Sequence, residues 1–251
     1  MKVIIHGITG KMGQTLYRAA QATPDIAVAA GVDKRIPEKD IGVPVYPGVG
    51  DVPFAADAVI DFSVREALPG LLESVTAKKL PLVVATTGLT DQDRHMIFQA
   101  SEKIPVLQSA NFSIGINLMY ALARRAASAL GDDWDIEIIE KHHNQKKDAP
   151  SGTAYALADA INAAFNGQKE YVFGRYSQDE LRKPNEIGIH AIRGGTIAGE
   201  HTALFAGTDE VLTITHTAHS KTLFASGALT AARFLCDKEP GLYHMQDILG
   251  L

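Results

Sequence analysis

A single cysteine, Cys236, is present, so no intrachain disulfide can form, and the chain reads as one made for a reducing compartment. Cys236 follows the apolar helical stretch "ALTAARFL" and is expected to be a buried packing residue. Long hydrophobic runs are missing too. The opening "MKVIIHGITG" carries only a short apolar run, far below a signal segment or a spanning helix, which makes the cytoplasm the expected compartment and membrane association unexpected. Nor is there an excess of positive charge: 24 Lys and Arg against 29 Asp and Glu give a net charge of -5, which argues against general nucleic-acid binding. Repeats and low-complexity tracts are lacking. What is there is an ordinary soluble composition, 46% hydrophobic and 21% charged over 251 residues, enough for one large domain or two modest ones.

Short apolar runs alternate with amphipathic stretches through the first half. Residues 2–7, 26–33, 56–63, 80–88 and 104–110 read as strands, and 11–22, 65–79 and 90–103 as helices, with Pro69 in an early turn and Thr90 as an N-cap. Strand–helix alternation predicts an α/β fold with a Rossmann-like, doubly wound parallel sheet. The pattern then changes. A long helix over 114–130 precedes a strand over 134–143 and a helix over 152–165. Period-two runs follow at 186–195, 200–207 and 210–218, then a helical tail over 221–236. These predict a second α+β domain on an open mixed sheet with helices on one face. Residues 167–185 read as an irregular surface excursion, and a boundary is expected near residue 112.

Two stretches carry chemistry. The first is Gly7-Ile8-Thr9-Gly10-Lys11-Met12-Gly13, between the first strand and the first helix. Its spacing is G-x-x-G-x-x-G rather than G-x-G-x-x-G, yet it keeps the strand–loop–helix context that lets backbone and helix N-terminus approach a pyrophosphate. Asp33 stands where an acidic residue would hold a ribose hydroxyl, and Lys34 and Arg35 could hold a 2′-phosphate, so NADH and NADPH both stay open.

The second stretch is "EKHHNQKKDAPSGTA", residues 140–154. His142 and His143, on a strand, point to opposite faces, and no carboxylate or cysteine stands at a metal-ligand spacing, so no metal is expected. An imidazole suits proton transfer near neutral pH. Lys146, close to Lys147, is a candidate general acid. Ser151 reads as an N-cap that leaves Gly152 and Thr153 at an anion-binding helix terminus suited to a carboxylate. Capping alone would account for Ser151, and a solvated loop for the lysines. The density of such groups after a cofactor motif favours a site. Other chemistries lack their residues: no Tyr-x-x-x-Lys, no G-x-S-x-G, and the one cysteine sits in an apolar helix.

That segment resembles the signature of the bacterial dihydrodipicolinate (4-hydroxy-tetrahydrodipicolinate) reductase family. "GITGKMG", "VIDFS", "ATTG", "SANFSIGIN" and "IRGGTIAGEHT" extend the likeness nearly end to end. The resemblance implies NADH- or NADPH-dependent reduction of a small cyclic dicarboxylate with loss of water, in the diaminopimelate route of lysine biosynthesis. By position it makes His142 a proton donor or acceptor and Lys146 a proton donor. His143, Gly152 and Thr153 become substrate contacts. Gly7, Ile8, Thr9, Gly10, Lys11 and Met12 become the pyrophosphate loop, and Asp33 and Lys34 the adenosine-ribose contacts. Ala85, Thr86 and Thr87, where glycine is common in place of alanine, and Ser109, Ala110, Asn111 and Phe112 match loops on the nicotinamide side. Residues 144 and 145, basic in some members, are Asn and Gln here, so the positive pocket is expected to lean on Lys146, Lys147 and Arg193. The resemblance also implies a dinucleotide domain of 1–112 plus 221–251, a substrate and oligomerisation domain of 113–220, and a homotetramer.

Overall fold

The computed structural model describes residues 1–250; Leu251, the end of the expected dinucleotide domain, lies outside the described residues. In chain order come β1 (Lys2–His6), α1 (Lys11–Gln21), β2 (Ala27–Val32), β3 (Val45–Tyr46), β4 (Ala58–Asp61), α2 (Leu68–Lys78), β5 (Leu82–Val84), α3 (Asp91–Ser101) and β6 (Pro105–Gln108). Next are α4 (Ile114–Leu130), β7 (Asp135–His142), α5 (Gly152–Asn162), β8 (Glu170–Phe173), β9 (Glu186–Arg193), β10 (Gly199–Ala206) and β11 (Val211–Ala218). The chain closes with α6 (Thr222–Leu235), β12 (Gly241–Tyr243) and α7 (Met245–Leu249). Contacts divide it into two units, one of Met1–Ile114 with the chain from Thr222 onward, the other of Gly115–Lys221.

The first unit is built on a seven-stranded parallel sheet in the order β12-β6-β5-β4-β1-β2-β3. Its central strands are apolar on both faces because helices cover both. Alternate side chains sort into two cores. Val3, Ile5, Ile60, Val83 and Leu107 pack with Leu16 and Ala20 of α1 and Ala228, Ala232 and Leu235 of α6. Ile4, Val59, Leu82, Val84 and Val106 pack with Leu68, Leu71 and Val75 of α2 and Ile97 of α3. Thr90 caps α3 through a capping box with Asp93, and Pro69 stands in the first turn of α2, as the sequence suggests. Cys236 is a correction: α6 ends at Leu235, its buried stripe runs through Ala228, Ala232 and Leu235, and the next residue turns out to solvent.

The second unit has a five-stranded mixed sheet, β11-β10-β7-β9-β8, with β7 antiparallel to β10 and parallel to β9. Ile136 and Ile138 of β7, Ile187 and Ile189 of β9, and Ala203 and Phe205 of β10 face the apolar sides of α4 and α5. Residues 167–185 are irregular and largely exposed as expected, except that residues 170–173 form a strand. β8 pairs parallel with β9, and Lys169 is buried against Asp132 and Asn162. On the face away from α4 and α5, Arg175 and Arg182 converge on Glu137 (2.9 and 3.1 Å). Among the described residues no helix is long and apolar enough to cross a membrane, and none of their His, Cys, Asp and Glu side chains form a group that could hold a metal ion.

Candidate active site

Strand alternation carries the apolar face of β7 from Ile136 and Ile138 to Glu140 and His142, so two polar side chains end a buried stripe. Glu140 is fully buried and His142 nearly so. A bare buried carboxylate would be costly, and four donors offset it. His142 Nδ1 lies 2.6 Å from Oε2, Arg193 Nη1 donates to Oε2 (2.8 Å) and Nη2 to Oε1 (2.7 Å), and the Ser151 N–H donates to Oε1 (2.9 Å). Burial alone would raise the Glu140 carboxyl; Arg193, His142 and the Ser151 amide override it and hold it below the usual glutamate range. Burial pushes the His142 imidazole down, the Glu140 contact pulls it up, and the charges of Lys146 and Arg193 push it down again, leaving it below the ordinary histidine value.

Ser151 caps α5 as expected, its hydroxyl accepting from the Ala154 N–H (3.2 Å). Gly152 and Thr153 are the first two helical residues, where helix geometry directs amide N–H groups out of the helix end. The turn from His143 to Asp148 closes with the Lys146 N–H donating to the His143 carbonyl. It places Lys146 Nζ 2.9 Å from Asp148 Oδ1, so the nearest partner of this lysine is a carboxylate rather than another cation. Arg193 departs from expectation as well: its guanidinium is spent on Glu140 and on the carbonyls of Ile192 and Asp148, so it braces the site instead of offering free charge. Glu140 and His201 belong to the site but were not among the residues singled out by sequence. The same alternation held the signal, because Glu140 follows Ile136 and Ile138, and His201 precedes Ala203 and Phe205, on inward faces.

His201 is buried, shares a 3.0 Å hydrogen bond with Ser151 Oγ, and meets the His142 ring edge to face at 5.1 Å. Burial first, and the neighbouring His142 second, push it from 6.5 down to about 4. A histidine depressed on folding leaves the unfolded chain holding the extra proton. Its contribution is therefore complete above the unfolded value of 6.5 and is lost as pH falls toward the folded value of about 4. Between about pH 7 and about pH 5 that loss is about 2 kcal/mol. Denaturant unfolding at the two pH values will show it for the native chain and a smaller loss for His201→Gln; equal losses would contradict it.

The first unit places the glycine loop at the C-terminal end of β1. Gly7 takes φ +81, and the Gly7 and Ile8 N–H groups donate to the Val32 carbonyl. Gly13 lies in the first turn of α1, where a Cβ would come within 2.1 Å of the Gly7 carbonyl oxygen. Gly10 caps α1 with no side-chain hydrogen bond. Ile8 is wholly buried, whereas Thr9, Gly10 and Lys11 are exposed and Met12 is partly so. Asp33, just beyond β2, accepts from the Thr9 N–H (3.1 Å) and hydroxyl (2.6 Å), which brings the acidic residue and the glycine loop together. Lys34 is exposed beside it. At the ends of β1, β4 and β5 the buried Asp61 accepts from Thr86 Oγ1 (2.7 Å) and pairs with His6 Nδ1 (2.9 Å). Ala85 is buried and Thr87 exposed. Past β6, Ser109 and Asn111 brace each other, Ala110 is exposed, and Phe112 is buried against Phe62. The cradle fits a dinucleotide: a glycine with positive φ, a helix terminus left uncapped by side chains, and an acidic residue at the next strand end.

A strand–glycine loop–helix unit of this kind, joined to a second α+β unit with a carboxylate-held histidine, defines the nicotinamide-dependent oxidoreductases as the class. The family described as dihydrodipicolinate reductase, N-terminus, matches residues 1–112, and that described as dihydrodipicolinate reductase, C-terminus, matches residues 115–249. A 4-hydroxy-tetrahydrodipicolinate reductase of Caldanaerobacter subterraneus subsp. tengcongensis is 51% identical over 99% of this chain and 98% of the relative. One from Clostridium botulinum is 43% identical over 100% and 99%. A solved dipicolinate-bound dihydrodipicolinate reductase from Paenisporosarcina sp. TG-14 superposes with a TM-score of 0.82 at 26% identity, covering 97% of each chain. The chain belongs to the dihydrodipicolinate reductase family.

Proposed function

We propose that this chain reduces 4-hydroxy-tetrahydrodipicolinate to tetrahydrodipicolinate with loss of water, using NADH or NADPH, in the diaminopimelate route of lysine biosynthesis. The observation that carries the reading is the Glu140-bound His142 beside the Lys146 turn and the start of α5. Gly7 to Met12, Asp33, Lys34, the segment 85–87 and the segment 109–112 hold the dinucleotide. The bound cofactor supplies the hydride. His143 and the α5 terminus at Gly152 and Thr153 take the dicarboxylate, whose charge suits a helix N-terminus.

His142 and Lys146 handle protons. Departure of the substrate hydroxyl as water removes a ring proton and delivers one to the leaving oxygen. Hydride addition then leaves negative charge on the ring that one further proton relieves. His142, held largely neutral at pH 7 by its lowered pKa, suits the accepting role, and the Lys146 ammonium the donating one. The test is an assay with enzymatically made 4-hydroxy-tetrahydrodipicolinate, following loss of reduced-nicotinamide absorbance with each cofactor in turn. No substrate-dependent oxidation with either cofactor overturns the reading.

The reading includes a cytoplasmic homotetramer assembled through the second unit. Ile192 and Val211, on the face of the second sheet away from α4 and α5, are 46% and 60% exposed, as an assembling face would be in a single chain. Sedimentation that gives the mass of one chain rules the tetramer out.

A further inference from the structure

We propose that Glu140 is the positioning residue for His142: its carboxylate fixes the imidazole as the Nδ1–H tautomer, so that Nε2 is the nitrogen offered to substrate. The inference rests on the proton-transfer role given above to His142. It goes further by saying which nitrogen acts and what holds it.

An ionised carboxylate only accepts hydrogen bonds, so the 2.6 Å contact of Glu140 Oε2 with His142 Nδ1 requires the hydrogen to sit on Nδ1. Glu140 stays ionised because Arg193 grips both its oxygens and the Ser151 N–H donates to Oε1. A Glu–Arg pair needed only for stability would be complete with Arg193 alone. Here Oε2 also takes the imidazole, and Oε1 also takes the amide that precedes α5, so one buried group sets the ring and the helix start together. On the far side of the ring a glycine leaves out the one side chain that would crowd Nε2. Across the sheet stands Gly199, and a Cβ there would lie 3.1 Å from His142 Nε2. The other groups around the ring are Arg193 from β9, His201 from β10, with His216 of β11 behind it, and Lys146 from the turn, itself paired with Asp148. The hydrogen bond that orients the imidazole comes from Glu140. Carboxylate partners of functional histidines act in this way, by selecting tautomer and ring orientation.

The experiment combines kinetics with nitrogen NMR of the histidine rings. In the native chain at neutral pH, His142 will show a protonated Nδ1 and an unprotonated Nε2; the opposite tautomer overturns the proposal without recourse to any variant. In Glu140→Gln the side-chain amide donates where the carboxylate accepted. The ring turns to the Nε2–H form, and kcat falls about 10–100-fold, the range for loss of an orienting partner. Substrate KM changes less, and dinucleotide affinity stays the same. Glu140→Asp, which keeps the charge, recovers part of the loss, an outcome a purely structural role would not give. If His142→Ala abolishes turnover but Glu140→Gln keeps native kcat and the Nδ1–H tautomer, the positioning role fails and the proton-transfer reading survives. If His142→Ala turns over normally, the proton-transfer reading fails, and the tautomer still decides what Glu140 does to the ring.

Discussion

Lys146→Ala and His142→Ala each lower kcat by about 10²–10⁴-fold, the usual worth of a positioned proton donor or acceptor, while the affinity for reduced dinucleotide is unchanged. The separation follows from where the groups lie. Both residues belong to the unit of Gly115–Lys221, whereas the glycine loop and Asp33 belong to the other. The two losses differ in their pH dependence. His142 works as a neutral imidazole, and its value is depressed by burial and by the nearby cations, so the native kcat falls on the acid side only below the ordinary histidine range. His142→Ala loses that limb and Lys146→Ala keeps it. The effect on folding is small, because truncating Lys146 removes only a partly exposed pair with Asp148. His142→Ala frees one of four donors to Glu140, and Arg193 and the Ser151 amide remain. Steady-state turnover with fluorescence titration of the dinucleotide measures both quantities; unchanged turnover in both variants removes the catalytic assignment.

The legible parts of the sequence were those where local pattern and tertiary need agree. The buried runs of β1, β4 and β5 could be seen because both faces of a parallel strand are covered, and α3 announced itself through Thr90. β12 has three residues and β3 two, too few to show any period, and they are strands only because β6 and β2 offer them a ladder. β8 hid in a polar segment, since its Tyr171, Val172 and Phe173 owe their place to pairing with β9. At the site, the residue types and spacing of 142–153 were readable. The wiring was not, because no sequence rule says that Arg193 clamps Glu140 across 53 positions or that Asp148 takes Lys146. The resemblance favoured a positive pocket leaning on Lys146, Lys147 and Arg193. The folded chain neutralises two of those cations locally, as the cost of holding uncompensated charge in a partly buried turn requires.

Gly13→Ala costs about 3 kcal/mol of stability and lowers the melting temperature by about 6–12 °C. The new Cβ would lie 2.1 Å from the Gly7 carbonyl oxygen and 2.7 Å from Ile8 Cα. Both are backbone atoms of the loop itself, so no rotamer change relieves the clash; α1 must back away from β1. That movement pulls Leu16 and Ala20 from the core they share with Ile5 and Ile8, and it displaces the helix terminus from the loop. Dinucleotide affinity therefore falls together with stability, which separates this glycine from one needed only for packing. Gly70 is the control. It lies in α2, where an added Cβ would meet nothing within 4 Å, so Gly70→Ala gains about 0.5–1 kcal/mol from helix propensity and leaves binding untouched. Thermal unfolding of both variants, with and without reduced dinucleotide, reads the two effects at once. A Gly13→Ala protein with native melting temperature and native affinity would mean that α1 does not press on the loop as closely as these distances require.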